Sequence, residues 1–131
     1  MRLTDELALL AGRLLIGLFH LILALDRFTG LAADTAWYGR LGVPWPQVAA
    51  PLAGVVMGLS GLLVVLGWKT RFGALLFASF LALDAIVVHS GLGSSTDRIF
   101  FLFDLAVIGG CLVLYASGPG RLSVDGRRPR E

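Results

Sequence analysis

Three ionisable side chains set among apolar residues, His20, Asp84 and Asp104, could together handle protons. A histidine between two carboxylates is held protonated, or shares one proton with them. Such a group can relay protons or hydrogen-bond a polar headgroup. Phe77 and Phe80 share a helical stripe with Asp84, and Phe100 or Phe101 lies one turn from Asp104. Aromatic rings beside a His/Asp pair would suit a quinone, whose reduction takes up protons. The competing reading is a hydrogen-bonded network that only fixes helix packing. Arg13 and His89 are secondary candidates, Arg13 chiefly as an anchor whose long stem snorkels to phosphate. No ligand spacing marks a metal site. On a continuous helix Asp84 and His89 would diverge by about 140° and not share a ligand. His20 and His89 lie at different heights, which argues against haem between them. Asp26 and Arg27 read as solvated boundary residues. No nucleophile motif, phosphate loop or dinucleotide fingerprint is present.

Four apolar runs must position these groups, at about residues 7–28, 47–67, 72–90 and 99–117. A hydrocarbon core of about 30 Å takes about 20 helical residues. The fold expected is therefore all-α, a four-helix transmembrane bundle with a long outer loop between helices one and two. Depth then links the polar groups. His20 sits roughly 20 Å above the cytoplasmic edge, Asp84 roughly 18 Å and Asp104 roughly 22 Å. Three side chains from three helices reach one level in the outer half, where they meet if they face inward. The connection 29–46 carries Trp37, Tyr38, Trp45, Pro44 and Pro46, and its Leu/Ala content allows a short surface helix. It reads either as an interfacial anchor or as a lid over a site open to the outside.

Hydrophobic residues make up 56% of the 131 residues and charged ones 15%, against about 25% charged in soluble domains. There is room for one bundle (1–117) and a basic tail (118–131), without a separate soluble domain. The net charge of +2 is small, and nothing resembles a nucleic-acid footprint. Arg2, Lys69, Arg71, Arg121, Arg127, Arg128 and Arg130 fall on the side of the termini; Arg27, Arg40 and Arg98 fall on the other. That bias places both termini in the cytoplasm. The first run reads as a spanning helix rather than a cleaved leader: Asp5 and Glu6 stand at its start, Arg13 sits inside it, and its apolar part is too long. Cys111, the single cysteine, excludes an intrachain disulfide. Ala50, Gly54, Gly58 and Gly61 form one small-residue face, which either closes the bundle or meets another subunit. The Arg-rich tail binds anionic lipid or docks a partner protein.

Several segments, in order, resemble the DoxX family of small bacterial four-helix membrane proteins. They are Arg13-x-x-x-Gly17, Gly42-Val43-Pro44, Gly61–Gly67 with Thr70-Arg71, His89, and the exit Gly118-Pro119-Gly120-Arg121-Leu122-Ser123-Val124-Asp125. Members often carry a Glu in helix two; this chain has Val56, Met57 and Gly58 there. The resemblance implies a multi-pass protein of the bacterial inner membrane, associated with quinone-linked redox assemblies. It implies no particular catalytic residue, and quinone is the one cofactor it suggests. The expectation is a small subunit or accessory protein of such an assembly; the alternative is a non-catalytic structural subunit. A transporter is weaker, since four helices without an inverted repeat leave little room for alternating access.

Overall fold

The computed structural model describes residues 1–127; the end of the basic tail, with Arg128 and Arg130, lies outside the described residues. Among the described residues there are five α-helices and no strand: α1 (Leu3–Thr29), α2 (Leu31–Arg40), α3 (Pro46–Leu66), α4 (Thr70–Val87) and α5 (Ser95–Ser117). A 3-10 turn, Asp125–Arg127, follows. α1, α3, α4 and α5 are each long and apolar enough to cross a membrane. Helices satisfy every backbone group internally, which lipid cannot do for them. The chain is thus an all-α, four-helix transmembrane bundle. Leu15, Leu25, Ile86 and Val113 are among the many large apolar side chains on its outer surface, as a lipid-facing wall requires.

Helix ends depart from the apolar runs where local caps act. α1 starts four residues early because the Asp5 carboxylate accepts from the Arg2 N–H, at 3.0 Å. α5 starts at Ser95 because the Ser94 hydroxyl accepts from the Asp97 N–H, an ordinary N-cap. α4 stops at Val87, three residues short of the expected end. The outer connection holds α2, entered through Gly30 directly after α1.

α1 lies chiefly against α3, α3 also against α4, and α4 against α5; α1 and α5 touch lightly. Phe77, Met57, Val64, Ala74 and Cys111 fill the centre. The small face of α3 packs inside the bundle. Gly54 lies under the Phe28 ring, Gly58 beside Ala24, and Gly61 against His20 and Leu21. Ala50 is fully buried in a second cluster with Tyr38 and Ala53. Gly17 of α1 completes the contact, since a Cβ there would fall on the Val65 side chain and 3.1 Å from the Gly61 carbonyl.

The tail does not simply leave the surface. Arg13, expected to snorkel to phosphate, instead donates from Nη1 to the Pro119 carbonyl (2.8 Å) and from Nη2 to the Leu122 carbonyl (2.7 Å). The Glu6 carboxylate accepts from the Arg121 N–H at 2.6 Å. The Val124 and Asp125 N–H groups donate to the Leu66 and Gly67 carbonyls, capping the end of α3. The Asp125 carboxylate accepts from the Thr70 N–H, capping the start of α4. Gly67 and Trp68 cap the Val64 and Leu63 carbonyls themselves, and the strap adds partners for the remaining groups at both helix ends. Gly67 makes room for it: its φ is +68°, and a Cβ there would collide with Ser123 and Arg13.

Candidate functional site

At the end of the bundle opposite the termini, five elements deliver polar side chains to one place. Arg27 comes from the last turn of α1, Asp34 and Tyr38 from α2, and Asp84 from the last turn of α4. His89 lies just beyond α4, and Asp104 is on α5. The Arg27 guanidinium lies 3.5 Å from Asp84 Oδ1 and 3.6 Å from Asp34 Oδ2, and it donates to the Tyr38 hydroxyl at 2.7 Å. It also rests over the Tyr38 and Phe80 rings. His89 Nδ1–H donates to Asp104 Oδ2 at 2.9 Å and lies 3.7 Å from Asp84 Oδ2. The Phe100 ring stacks on the His89 ring and fixes its plane.

Two of the three leading candidates are brought together here, and the third is not. His20 is fully buried and donates from Nδ1 to the Ile16 carbonyl of its own helix. Its ring lies on Phe77, and its Nε2 has no partner. Phe77 is seven residues from Asp84, about 10 Å along α4. His20 therefore lies about two turns nearer the termini than Asp84, not at its level, because it is Arg27, seven residues further along α1, that meets Asp84; its ring aims at the core. His89 takes the expected place between the two carboxylates. The 140° divergence assumed a helix running on through residue 90. Because α4 ends at Val87, the chain bends and returns the imidazole to Asp84. Arg27, expected to be solvated, has a side chain only 20% exposed, because α2 folds over it. Asp26 is exposed at the rim. Arg13 belongs to the strap at the other end of the molecule.

One signal for this arrangement is present in the chain. Ser94-x-x-Asp97 is an N-cap signature that starts α5 early and confines the turn to 88–94. Nothing local marks Arg27 or Tyr38.

The site opens on two cavities that share Asp84, Tyr38 and Val88. The larger, about 540 Å³, lies between α2, α3 and α4; Val43, Leu52, Ala53, Val56, Phe80 and Leu83 are among the residues of its wall. Tyr38 and Asp84 are its polar end. The smaller, about 300 Å³, is bounded by Arg27, Asp34, Trp37, Asp84 and His89. Burial pushes the Tyr38 hydroxyl above its ordinary range, with Arg27 opposing. The phenol therefore stays protonated near neutrality and, while accepting from Arg27, retains its O–H to donate. An apolar chamber ending in a few convergent polar groups is the usual form of a small-molecule site.

This geometry makes His20 and Asp84 independent. In unfolding titrations, His20→Ala and Asp84→Asn are expected to add to within about 0.5 kcal/mol. Asp104→Asn and His89→Ala, whose side chains touch, should instead show a coupling of about 0.5–3 kcal/mol. The opposite pattern would dissociate His89 from Asp104.

Comparison with known proteins agrees with the architecture. The chain is 29% identical to Inner membrane protein YqjF of Escherichia coli (strain K12) over 125 residues, 95% of each chain. It is 30% identical to Inner membrane protein YphA of the same strain over 124 residues, 91% of this chain and 89% of that one. A Surfeit locus protein 4 homolog of Schizosaccharomyces pombe is 28% identical over 91% of this chain, but over only 37% of its own length. No solved structure matches. The sequence model of one family, DoxX, covers residues 8–90, from the second turn of α1 to just past His89. The span thus holds three of the four crossings and all of the site except Phe100 and Asp104, and by it the chain belongs to the DoxX family.

Proposed function

We propose that this DoxX-family protein is a small subunit or accessory protein of a quinone-linked redox assembly in the bacterial inner membrane. Its two Escherichia coli relatives are inner membrane proteins by name. With both termini cytoplasmic, as the basic residues favour, the site lies toward the outer leaflet. The observation that carries the reading is the 540 Å³ apolar cavity with Tyr38 and Asp84 at its end. Its aliphatic wall suits a ring with an isoprenoid tail. Phe80 offers a ring face, and the Tyr38 O–H can donate to a quinone carbonyl. Arg27 keeps the phenol oriented through its own hydrogen bond. Electrons come from a partner protein, while this chain binds and orients the quinone.

Quenching of the Trp37 and Trp45 fluorescence by a short-chain ubiquinone, in quinone-free detergent with EDTA, tests this. Saturable quenching is expected in the wild type. Val56→Phe, which narrows the cavity, should weaken it strongly. Tyr38→Phe should weaken it by about tenfold or less, as loss of one hydrogen bond of about 1 kcal/mol implies. Leu112→Phe, on the lipid face of α5, should change nothing. Equal, unsaturable quenching in all four proteins would sink the proposal.

A specific feature favours the alternative, a structural subunit. Only 11% of the apolar window of α5 is buried, against 44% for α3. A partner helix could cover that face. Purification in mild detergent with mass spectrometry separates the two readings: a stable partner without quinone binding supports the structural one.

A further inference from the structure

We propose that Asp84, His89 and Asp104 form a binding site for one divalent transition-metal cation of zinc-like preference, with Arg27 as the outer partner that orients Asp84. One donor atom from each of the three residues lies within 4.8 Å of the others. The proposal does not rest on the quinone reading, although the two sites share Asp84.

Geometry is the first argument. Zinc bonds to imidazole nitrogen and carboxylate oxygen run about 2.0–2.2 Å, so tetrahedral donors stand roughly 3.3–3.6 Å apart. The His89 Nδ1 separations from Asp104 Oδ2 and Asp84 Oδ2, 2.9 and 3.7 Å, bracket that value. For these two separations a cation requires shifts of a few tenths of an ångström, and the donor oxygens of the two carboxylates stand within 4.8 Å of each other. Arg27 does not stand in the way, because it engages Asp84 through Oδ1 and leaves Oδ2 facing His89. The Phe100 ring holds the imidazole plane. Three protein ligands leave a fourth position, and both Asp84 and His89 border the 300 Å³ cavity that could fill it with water or a ligand atom.

Charge is the second argument. Asp34, Asp84 and Asp104, ionised, bring three negative charges against the single positive charge of Arg27. The three carboxylates outnumber the one guanidinium, in a setting where unbalanced charge is expensive. A divalent cation bound there offsets that excess. Binding takes the place of the Nδ1 proton. A neutral ring then carries its proton on Nε2, and an imidazolium releases one proton to solvent. Two carboxylates and one imidazole suit zinc, manganese or iron(II) better than calcium, which prefers six to eight oxygens.

The test uses the full chain in detergent, stripped with EDTA, dialysed, and titrated with Zn²⁺ or with Co²⁺ as a spectroscopic probe. The expected result is one equivalent per chain, a cobalt visible spectrum of four- or five-coordinate type, and a Tm that rises with metal. Loss of a ligand should cost more than the roughly 10–100-fold that loss of an outer partner costs. Asp104→Asn and His89→Ala should therefore lose tight binding and the metal-dependent rise in Tm. His20→Ala, remote from the cluster, should keep both. His89 lies outside any helix, so His89→Ala tests the site even if Asp104→Asn folds poorly. No stoichiometric uptake by the wild type, or uptake unchanged in His89→Ala, would overturn the site. Quinone quenching is measured with EDTA present, so either proposal can fail alone.

Discussion

Arg13→Met is expected to destabilise the protein by about 3–5 kcal/mol and to free its C-terminal strap. Arg13 is 3% exposed, and its guanidinium holds the Pro119 and Leu122 carbonyls with two short hydrogen bonds. Bonds from a charged donor are worth about 1.5–3 kcal/mol each, and their loss leaves buried carbonyls unpaired. The effect propagates, because the strap adds hydrogen-bond partners at the end of α3 and the start of α4. Methionine fills the volume of the stem, so the loss is one of polar contacts and not of packing. Unfolding in a graded detergent titration measures the stability. Trypsin measures the strap, since the bond after Arg121 should become cleavable under native conditions. Arg13→Lys should recover only part, because one ammonium cannot serve both carbonyls with the geometry of the guanidinium fork. A tail still protected in Arg13→Met would mean that Glu6 and the backbone contacts suffice to hold it.

Arg27→Met is expected to be of similar size, about 3–5 kcal/mol, for a different reason. Asp84 is 7% exposed, and Arg27 is its cationic neighbour at 3.5 Å. Removing one member of a buried ion pair leaves the other uncompensated, which costs about that much. The variant also cuts the tie of α1 to Tyr38 and Asp34, so α2 should exchange its amides faster while α3 and α4 change little. Pairing Arg27→Met with Asp84→Asn should recover a good part of the loss, because a neutral pair no longer strands a charge. If the double variant is as unstable as the two single losses combined, the pair contributes nothing as a pair. Two routes to a destabilised bundle are thus separable: one acts through the strap at the end of the termini, the other through the polar cluster at the opposite end.

What was legible in the chain follows from the solvent it occupies. Lipid offers no hydrogen bonds, so a run of about 20 apolar residues has one outcome, a spanning helix. Four such runs determined the class and number of crossings. A stripe without side chains, such as Gly54, Gly58 and Gly61, marks a close helix contact, though which helix it meets is not written in α3 itself. Rise per residue is constant, so depth along one helix could be read, and Asp84 and Asp104 do share a level; His20 does not, because α1 is offset along its axis against α4, which brings Arg27 and not His20 to Asp84. Azimuth could not. The direction in which His20 points depends on how α1 is rotated against α3 and α4, which is a property of the whole packing. His89 was a secondary candidate, but its meeting with Asp84 was missed because it depends on where α4 stops, three residues before the apolar run does. Arg27 looked solvated because nothing near it in sequence shows that α2 will fold across it. Arg13 looked like a lipid anchor because its partners, Pro119 and Leu122, are more than one hundred residues away. The sequence by itself determined which segments cross the membrane and which polar groups ride inside them. Only the tertiary structure decided which of those groups meet, because helix rotation, helix ends and long-range caps are settled by packing between segments.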